Sequence, residues 1–431
     1  MKTGSKKQKN RFWDLDLSPD LVKVLDKLNF TTPTPIQQKA IPFALNRKDV
    51  IGIAQTGTGK TLAFTLPMLQ SISAQNGTGL VVVPTRELAF QVREEIEKVG
   101  SKLGFRTALL IGGTNISQQI KALKRHPHVI IATPGRLIDH IDRRTVKLST
   151  VRVLVLDEAD RMLDMGFAPQ INQILESVPN KRQTMLFSAT MPDEISKMTH
   201  KYMNDPVRVE VAPQGTSAKN IEQGMYYITK ENKLALLQEL LGEHKNKPVL
   251  VFCRTKHGTR KMARTLKMQG FKTEELHSNR SLNQRRFELD NFKRGKCHIM
   301  VATDVAARGI DVKEIALVVN YDIPDKNEDY VHRIGRTGRA GHSGKAVSFV
   351  APDQYHDMRA IEKLVGINIP VMHTDNTLEH EEIEKMKTRK AQKKSGGRGR
   401  RGGGGGWSKY KRPTRNFRGS RSKNQRTSRS R

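Results

Sequence analysis

Short hydrophobic runs recur along the chain and alternate with longer stretches in which hydrophobic residues follow helical spacing. A run that is apolar at nearly every position is typical of a strand buried on both faces of a parallel sheet. Helical patterns at residues 87–99 and 115–123 separate successive runs in the first half of the chain. This alternation predicts a doubly wound α/β domain. Its strand-forming runs are residues 50–53, 80–83, 129–131, 151–156 and 185–187.

The same alternation resumes after a polar segment at residues 211–222, which contains Pro213 and Gly215. Such a segment is typical of a linker, so we predict an α/β protein with two tandem doubly wound parallel-sheet domains. The predicted strands after the linker are residues 249–252, 299–302, 316–320 and 346–350. The predicted divisions are a basic extension at 1–11, a first domain at 12–210, the linker, a second domain at 223–370 and a tail at 371–431.

Positive charge is concentrated at the end of the chain. The whole sequence has 76 Lys and Arg against 43 Asp and Glu, a formal net charge of +33, and residues 385–431 hold 19 of the cations and no acid. A Gly-, Ser- and Arg-rich composition predicts a disordered basic tail. Because Trp407, Tyr410 and Phe417 interleave the charges, we expect this tail to tether RNA, with a merely solubilising tail as the alternative.

Composition excludes several classes of protein. No hydrophobic run approaches the roughly 18 residues that span a bilayer, and no apolar segment follows the basic start, so neither a membrane partner nor a signal peptide is expected. Two cysteines, Cys253 and Cys297, are too few for a disulfide framework or a four-cysteine zinc site. These features predict a cytoplasmic protein, and its charge predicts a nucleic-acid partner.

A glycine-rich segment, residues 54–61, follows the first hydrophobic run and has the sequence Ala-Gln-Thr-Gly-Thr-Gly-Lys-Thr. A strand, a glycine-rich turn and a helix start place backbone N–H groups around a polyphosphate. Lys60 is predicted to reach the terminal phosphates and the Thr61 hydroxyl to bind Mg²⁺. Ala54 stands where the usual phosphate-loop pattern has glycine. The predicted phosphate cradle comprises Thr56, Gly57, Thr58, Gly59, Lys60 and Thr61.

An acidic segment, Asp157-Glu-Ala-Asp160, ends the run at 151–156. A doubly wound sheet presents its ligands at the carboxyl ends of strands. We predict that Asp157 binds Mg²⁺ and that Glu158 orients and deprotonates the attacking water. A solvated acidic turn is the alternative, but the presence of Lys60 and Thr61 in the same sequence favours the catalytic interpretation. The sequence therefore predicts a site for nucleoside-triphosphate hydrolysis with Mg²⁺.

The Asp-Glu-Ala-Asp sequence is the signature of the DEAD-box RNA helicases of superfamily 2, and the chain resembles that family over residues 12–365. The resemblance implies two RecA-like domains. It also implies that Phe30 stacks on adenine and that Gln37 forms hydrogen bonds with the edge of the base. Asn29 stands where the family usually has glycine. Further ATP contacts are implied for Gly309 and Asp311, and arginine fingers for Arg336 and Arg339.

The same resemblance implies RNA contacts in both domains. The implied RNA-binding residues are Pro84, Thr85, Arg86, Gly113, Thr133, Pro134, Gly135, Arg136, Arg254, Thr255, Thr303 and Asp304. Ser188, Thr190 and His332 are implied to couple ATP to RNA. Asp160 is expected to make interdomain or loop-fixing contacts rather than bind metal. Residues 284–287 match loosely, so no role is assigned to them.

The predicted function is RNA-stimulated ATP hydrolysis coupled to local, non-processive unwinding of short RNA duplexes or to remodelling of RNA–protein complexes. A nucleotide-gated RNA clamp or annealing chaperone is the alternative; a DNA translocase is disfavoured by Phe30 and Gln37. Within the family the chain resembles the bacterial RhlE-type branch most, through residues 277–280 and the basic tail. Ribosomal particles and the RNA-decay machinery are partners compatible with that branch.

Overall fold

The structure is a computed structural model that describes residues 11–55, 57–211, 221–307, 312, 315–338, 344–379 and 381–383. Four predicted site residues lie outside these ranges: Thr56, Gly309, Asp311 and Arg339. The same holds for most of the predicted basic extension, most of the linker and the cationic segment 385–431. Residues up to Ile383 form one compact unit that contains two sheets.

The first sheet has seven strands, all parallel, in the order β3-β4-β2-β5-β6-β1-β7. These strands are β1 Val50–Ile53, β2 Thr78–Val82, β3 Thr107–Leu110, β4 Val129–Ala132, β5 Val151–Asp157, β6 Gln183–Ser188 and β7 Val207–Glu210. The five predicted strands of this half are therefore confirmed. Strands β3 and β7, which the hydrophobic runs did not reveal, are the two edges of the sheet.

Alternate residues of the central strands enter two different hydrophobic cores. In β5, Val153 and Val155 belong to one core, whereas Leu154 and Leu156 belong to the other. Both faces are thus buried beneath helices, as the unbroken apolar runs predict. The helices of this half are α1 Pro19–Lys27, α2 Pro35–Leu45, α3 Lys60–Gln75, α4 Arg86–Gly100, α5 Ile116–Leu123, α6 Pro134–Asp142, α7 Ala159–Asp164, α8 Ala168–Ser177 and α9 Asp193–Tyr202. The short 3₁₀ helices of the chain are Phe12–Leu15, Ser101–Leu103 and Pro352–Gln354.

The second sheet has six parallel strands in the order β10-β11-β9-β12-β13-β8. These strands are β8 Ile221–Tyr227, β9 Val249–Phe252, β10 Thr273–Leu276, β11 Ile299–Ala302, β12 Leu317–Asn320 and β13 Gly344–Val350. Its helices are α10 Lys233–Glu243, α11 Lys256–Met268, α12 Leu282–Lys293, α13 Asp304–Ala307, α14 Asn327–Ile334 and α15 Tyr355–Val365. The predicted pair of doubly wound parallel-sheet domains is confirmed.

The chain after α15 returns along the edge strand β8. The Met225 N–H donates to the Pro370 carbonyl at 2.9 Å, and the Met372 N–H donates to the Met225 carbonyl at 2.8 Å. A Cβ at Gly224 would collide with the Met372 sulfur, so the glycine allows this close approach. Val371, Met372 and Leu378 therefore contact β8 of the second sheet, whereas the sequence division places them in the tail; that division stays a prediction. No helix of the described ranges is long and hydrophobic enough to span a bilayer.

Candidate active site and nucleic-acid interface

The order of the strands gathers the predicted site residues into two groups. The phosphate loop, the acidic turn and the predicted coupling residues of this half follow β1, β5 and β6, which are neighbours, whereas the residues predicted to bind RNA in this half follow β2, β3 and β4. Carboxyl ends of parallel strands meet at one edge of a sheet. The first domain therefore presents the two groups side by side along a single edge.

The glycine-rich loop has the geometry of an anion cradle. Gly57 and Gly59 adopt φ values of +82° and +91°, which side chains rarely adopt. Lys60 is buried at the start of α3, and its Nζ donates to the Ala54 carbonyl at 2.7 Å. Gly59 provides no side-chain cap, so the first N–H groups of α3 remain available for an anion.

Two departures from the usual motifs have a structural account. Ala54 is buried, and its N–H donates to the Ser188 carbonyl at 3.0 Å, so this position contributes through its backbone. Asn29 has a φ of +59°, in the left-handed region that glycine favours and asparagine tolerates. The following Phe30 donates its N–H to the Leu25 carbonyl at 2.9 Å and packs half-buried against the first core.

Gln37 joins the start of α2 to the phosphate loop. Its Nε2 donates to the Gly59 carbonyl at 2.9 Å, and its Oε1 accepts from the Thr34 N–H at 2.8 Å. The side chain is buried, and a Cβ at Gly59 would lie 2.5 Å from its Nε2. Gln37 therefore fixes the loop in this structure, and the adenine contact implied for it stays a prediction.

Asp157 lies buried at the end of β5. Burial outweighs the attraction of Lys60 and raises the pKa of its carboxyl to about 7. A divalent cation beside a buried carboxylate favours the ionised form, and Mg²⁺ prefers oxygen donors. The Asp157 carboxylate and the Thr61 hydroxyl at the start of α3 are such donors. The described residues contain no cluster of three His, Cys, Asp or Glu able to hold a metal, so phosphate and water oxygens would complete the shell.

Glu158 is buried and has a left-handed φ of +53°. This unusual conformation for a non-glycine residue is common at functional sites. Burial alone would raise the pKa of Glu158, but the cations of Arg161, Lys60 and Arg336 outweigh it and lower the pKa. Glu158 is thus an ionised carboxylate in ion-pair contact with Arg161. Arg336 reaches this pocket from the second domain.

Asp160 connects the acidic turn to the end of β6. Its Oδ2 accepts hydrogen bonds from the Thr190 N–H and hydroxyl, both at 2.9 Å. The Asp160 N–H donates to the Ser188 hydroxyl oxygen at 3.2 Å. The two first-domain residues predicted to couple ATP to RNA therefore contact the turn that carries Glu158.

Helix α14 of the second domain faces this turn. Burial, together with Arg161 and Arg336, lowers the pKa of His332, against the opposing effect of Asp160. Arg336 is buried just beyond α14, and its Nε donates to the His332 carbonyl at 3.1 Å. His332 and Arg336, both predicted site residues, thus lie close enough to the acidic turn to interact electrostatically with Asp160 and Glu158.

Arg333 is a residue that motif comparison left without a role. It is buried, pairs with Asp304 through Nη2 and Oδ2 at 2.7 Å, and lies 5.0 Å from the centre of the Phe252 ring. Its Nη1 also donates to the Asp322 carbonyl at 2.5 Å. The Asp304 carboxylate, predicted to contact RNA, is therefore committed to holding Arg333. Only the three-dimensional structure reveals this pairing, because the two residues are far apart in sequence.

The RNA-binding residues predicted in the first domain surround two helix starts. Thr85, which follows Pro84, caps α4 by accepting a hydrogen bond from the Leu88 N–H at 3.3 Å. The Arg86 guanidinium lies so close to Gly113 that a Cβ there would collide with it. Thr133 precedes α6, which begins with Pro134, Gly135 and Arg136, and a Cβ at Gly135 would meet nothing within 4 Å. The Arg136 Nη1 donates to the Thr114 carbonyl at 3.2 Å.

The second domain repeats this arrangement after β9 and β11. Thr255 caps α11 by accepting from the Gly258 N–H at 3.0 Å. The neighbouring Arg254 donates its N–H to an Asp322 carboxylate oxygen at 2.9 Å. Thr303 donates its N–H to the Leu276 carbonyl at 3.1 Å. These two strands are adjacent in the sheet, so the four predicted RNA residues of this domain lie along one edge.

A direct contact between the domains joins α4 to α12. Glu87 Oε1 lies 2.9 Å from Arg285 Nη2, with only 7% and 12% of these side chains exposed. The Arg286 guanidinium lies 4.3 Å from the centre of the Phe90 ring, and Leu282 packs into the first domain's core. Residues 284–287, left without a role by sequence, therefore lie on the second-domain side of this contact.

Two family models match the chain. The model described as DEAD/DEAH box helicase matches residues 34–198, and the helicase conserved C-terminal domain matches residues 232–341. The DEAD-box ATP-dependent RNA helicase CshA of Geobacillus kaustophilus is 46% identical, over 82% of this chain and 76% of that protein. The ATP-dependent rRNA helicase RRP3 of Meyerozyma guilliermondii is 43% identical, over 85% of this chain and 78% of that protein.

Solved structures also resemble the chain as a whole. Saccharomyces cerevisiae Dbp5 bound to RNA and ADP BeF₃ has a TM-score of 0.77 and 30% identity, covering 88% of this chain and 99% of that one. Mss116p bound to single-stranded RNA and AMP-PNP has a TM-score of 0.78 and 28% identity, covering 90% of this chain and 82% of that one. Both structures hold RNA and a nucleotide analogue.

Proposed function

Because the chain belongs to the DEAD-box ATP-dependent RNA helicases, we propose that RNA brings the two halves of its site together and thereby switches on ATP hydrolysis. Each cycle of closure and release then separates a short RNA duplex or remodels an RNA–protein complex. The proposal is supported above all by one observation. Arg336 of the second domain is close enough to Glu158 of the first to help lower the pKa of its carboxyl.

Arg336 and Glu158 have complementary roles in this scheme. A cationic finger that neutralises the transferring phosphoryl group increases the rate by about 10³–10⁵-fold. Glu158, kept ionised by its cationic neighbours, accepts the proton of the attacking water. Arg339, the second predicted finger, lies outside the described residues. Hydrolysis is therefore slow whenever the domains separate, because Arg336 leaves with the second domain.

The first domain supplies the phosphate and metal ligands. Lys60 and the N–H groups at the start of α3 bind the phosphates, and Asp157 with Thr61 would hold Mg²⁺. When bound, that ion supplies charge neutralisation at the phosphate oxygens. The Lys60 Nζ donates to the Ala54 carbonyl within the phosphate loop, and Asp157 is buried at the end of the neighbouring β5, which supports these two roles.

RNA binds mainly through its backbone. The predicted contacts cluster at the starts of α4, α6 and α11, where N–H groups and Arg side chains suit phosphates. Such contacts carry little sequence information. A strand that spans both domains stabilises the closed state, which couples RNA binding to hydrolysis.

The free energy of one closure limits the extent of unwinding. At about 1.4 kcal/mol per stacked step, ten steps hold roughly 14 kcal/mol. One closure can disrupt a few base pairs, after which a short remainder dissociates spontaneously. Unwinding is therefore local and non-processive.

We further propose the finer assignments made from sequence. The RhlE-type branch is supported by residues 277–280 and the basic tail. A cytoplasmic location is supported by the two buried free thiols, which fit a reducing compartment. Ribosomal RNA particles as partners are supported by the relative named as an rRNA helicase, whereas RNA-decay partners rest on the branch alone. The two-domain division at residues 12–210 and 223–370 is retained, with the second domain extended by residues 371–378.

The proposal is tested by measuring ATP hydrolysis with RNA and DNA of one sequence, and unwinding of RNA duplexes of increasing length. We expect strong stimulation by RNA, little by DNA, and a steep loss of unwinding beyond about two helical turns. Equal stimulation by RNA and DNA would contradict the RNA assignment. Efficient separation of much longer duplexes by one enzyme per duplex would contradict local unwinding.

A further inference from the structure

The exposed side of α11 carries cations that the proposed function does not use. Seven Lys or Arg residues and no acidic residue occur between residues 254 and 272. The opposite side of the helix packs into the second domain's core through Met262, Ala263 and Leu266. We call the exposed cations Lys256, Arg260, Lys261 and Arg264 the α11 basic face.

Among the described residues, this face has none of the acidic partners that usually accompany cations on a solvated helix. In the described part of the chain, none of its four members forms an ion pair. On α4, by contrast, Arg93 pairs with Glu97 at 2.8 Å and Lys98 pairs with Glu95. Such pairs at helical spacing stabilise an exposed helix, and a run of like charges destabilises it. The α11 basic face therefore retains an uncompensated positive charge, which an anionic partner would neutralise.

The position of α11 indicates which anion binds. The helix begins next to Arg254 and Thr255, the residues predicted to bind RNA after β9. From Lys256 to Arg264 the face extends about 12 Å along the axis, with cations on successive turns about 5.4 Å apart. A single RNA strand leaving the contact at Arg254 would find a continuous row of phosphate partners there.

We propose that the α11 basic face binds the phosphates of single-stranded RNA that continues beyond the strand held at Arg254 and Thr255. The proposal rests on the proposed function and adds a second RNA-binding surface to it. An acidic protein is a poorer fit, because protein interfaces have an apolar centre. The exposed large hydrophobic residue of α11 among those described is Met268, at its far end.

The test uses the full-length chain with Arg260, Lys261 and Arg264 all replaced by Gln. Its matched control carries Arg143→Gln, Arg144→Gln and Lys147→Gln, which remove the same charge. These control residues are exposed and lie beyond the opposite end of α6 from Thr133. RNA-stimulated ATP hydrolysis is titrated with a short RNA of about eight nucleotides and a long one of about twenty.

We expect the long RNA to activate wild-type and control proteins at much lower concentrations than the short RNA. The α11 variant should lose most of this length advantage, while its half-maximal concentration of short RNA and its maximal rate stay near wild type. Each lost phosphate contact removes about 0.7 from the log–log salt slope for a single strand. Three lost contacts reduce the long-RNA slope by about 2, which is roughly a twentyfold smaller salt effect between about 50 and 200 mM.

An undiminished length advantage and salt slope in the α11 variant would overturn the inference, as would an equal loss in the control. Failure of the proposed function is distinguishable, because wild-type protein would then show no RNA stimulation with either RNA. Binding of a duplex in place of a single strand would also overturn it. In that case a blunt duplex extension would lower the half-maximal RNA concentration for wild type but not for the α11 variant. A single-stranded overhang of the same length would not lower it.

Discussion

At the scale of single residues, the pKa values of two adjacent carboxyl groups are shifted in opposite directions. Burial raises the pKa of Asp157 to about 7, whereas Arg161, Lys60 and Arg336 overcome burial and lower that of Glu158. At Asp157 burial outweighs the attraction of Lys60, whereas at Glu158 three cations together outweigh burial. This difference suits a metal ligand beside a general base, because the two roles require different partners.

The raised pKa of Asp157 predicts a pH-dependent stability in the absence of nucleotide. The folded state binds the Asp157 proton more tightly than the unfolded state, whose pKa is near 3.8. Stability therefore falls as pH rises from about 4 to about 7, by at most a few kcal/mol. Thermal unfolding of wild type and Asp157→Asn across this range measures the effect. The Asn variant should lose less stability with rising pH, and parallel curves would contradict the assignment.

Replacing Arg336 should reduce catalysis, whereas replacing its neighbour Arg333 should reduce stability. Arg336→Ala should reduce maximal RNA-stimulated hydrolysis by about 10³-fold or more, with melting temperature little changed, because it removes a finger. Arg333→Ala should lower stability by about 3–5 kcal/mol, because it leaves Asp304 without its buried partner. Denaturant unfolding and ATPase assays of both variants separate the two roles. An unstable Arg336→Ala protein with normal catalysis would reverse the assignment.

At the scale of elements, α4 carries predicted RNA contacts and also touches the second domain through α12. Helix α4 begins with the predicted RNA contacts Thr85 and Arg86 and carries Glu87 one residue later. Glu87 pairs with Arg285 of α12 in a largely buried position. We therefore expect that RNA bound at the start of α4 acts on the second domain through the Glu87–Arg285 pair.

Breaking this pair should weaken activation by RNA. Arg285→Gln is expected to raise the RNA concentration for half-maximal ATP hydrolysis by about tenfold or more, because Glu87 would be buried without its cation. The matched control is Arg294→Gln, directly after the last residue of the same helix, whose pair with Asp290 is exposed. Equal behaviour of the two variants would show that the α4–α12 contact does not govern closure.

The strands that the sequence predicts are those with hydrophobic surroundings on both faces. Central strands, buried on both faces, produced unbroken apolar runs and were recognised. All four strands that the runs did not reveal, β3, β7, β8 and β10, are edges of their sheets. An edge strand is partly exposed and mixes polar with apolar residues, as Thr-Glu-Glu-Leu of β10 does. The Arg333–Asp304 and Arg285–Glu87 pairs were also missed, since they depend on packing between distant segments.

At the scale of the whole molecule, the densest positive charge and the predicted catalytic residues lie in different parts of the chain. Residues 385–431 hold 19 cations and no acid, and the predicted catalytic residues all precede them. The described residues include most of the residues predicted to bind ATP, to bind RNA and to couple the two. We therefore expect the tail to increase the affinity for RNA without contributing to hydrolysis, which also distinguishes the helicase from the clamp or annealing chaperone.

Removing residues 385–431 should leave RNA-stimulated hydrolysis and unwinding at saturating RNA near their full rates. Affinity should fall and its log–log salt dependence should flatten, because fewer phosphate contacts release counterions. Fluorescence anisotropy at several salt concentrations measures this. A truncated protein that hydrolyses ATP but no longer unwinds, together with an isolated tail that anneals strands, would favour the chaperone.

The central claim is that RNA and ATP close one composite site in which Glu158 drives turnover. Its most direct test is Glu158→Gln, assayed for ATP binding, RNA binding and hydrolysis, with Lys60→Ala as the control that removes phosphate binding. We predict that the Gln variant binds both ligands, loses turnover by about 10²–10⁴-fold and forms a long-lived complex with ATP and RNA, which the Ala variant does not form. Near-normal hydrolysis by Glu158→Gln would contradict the account.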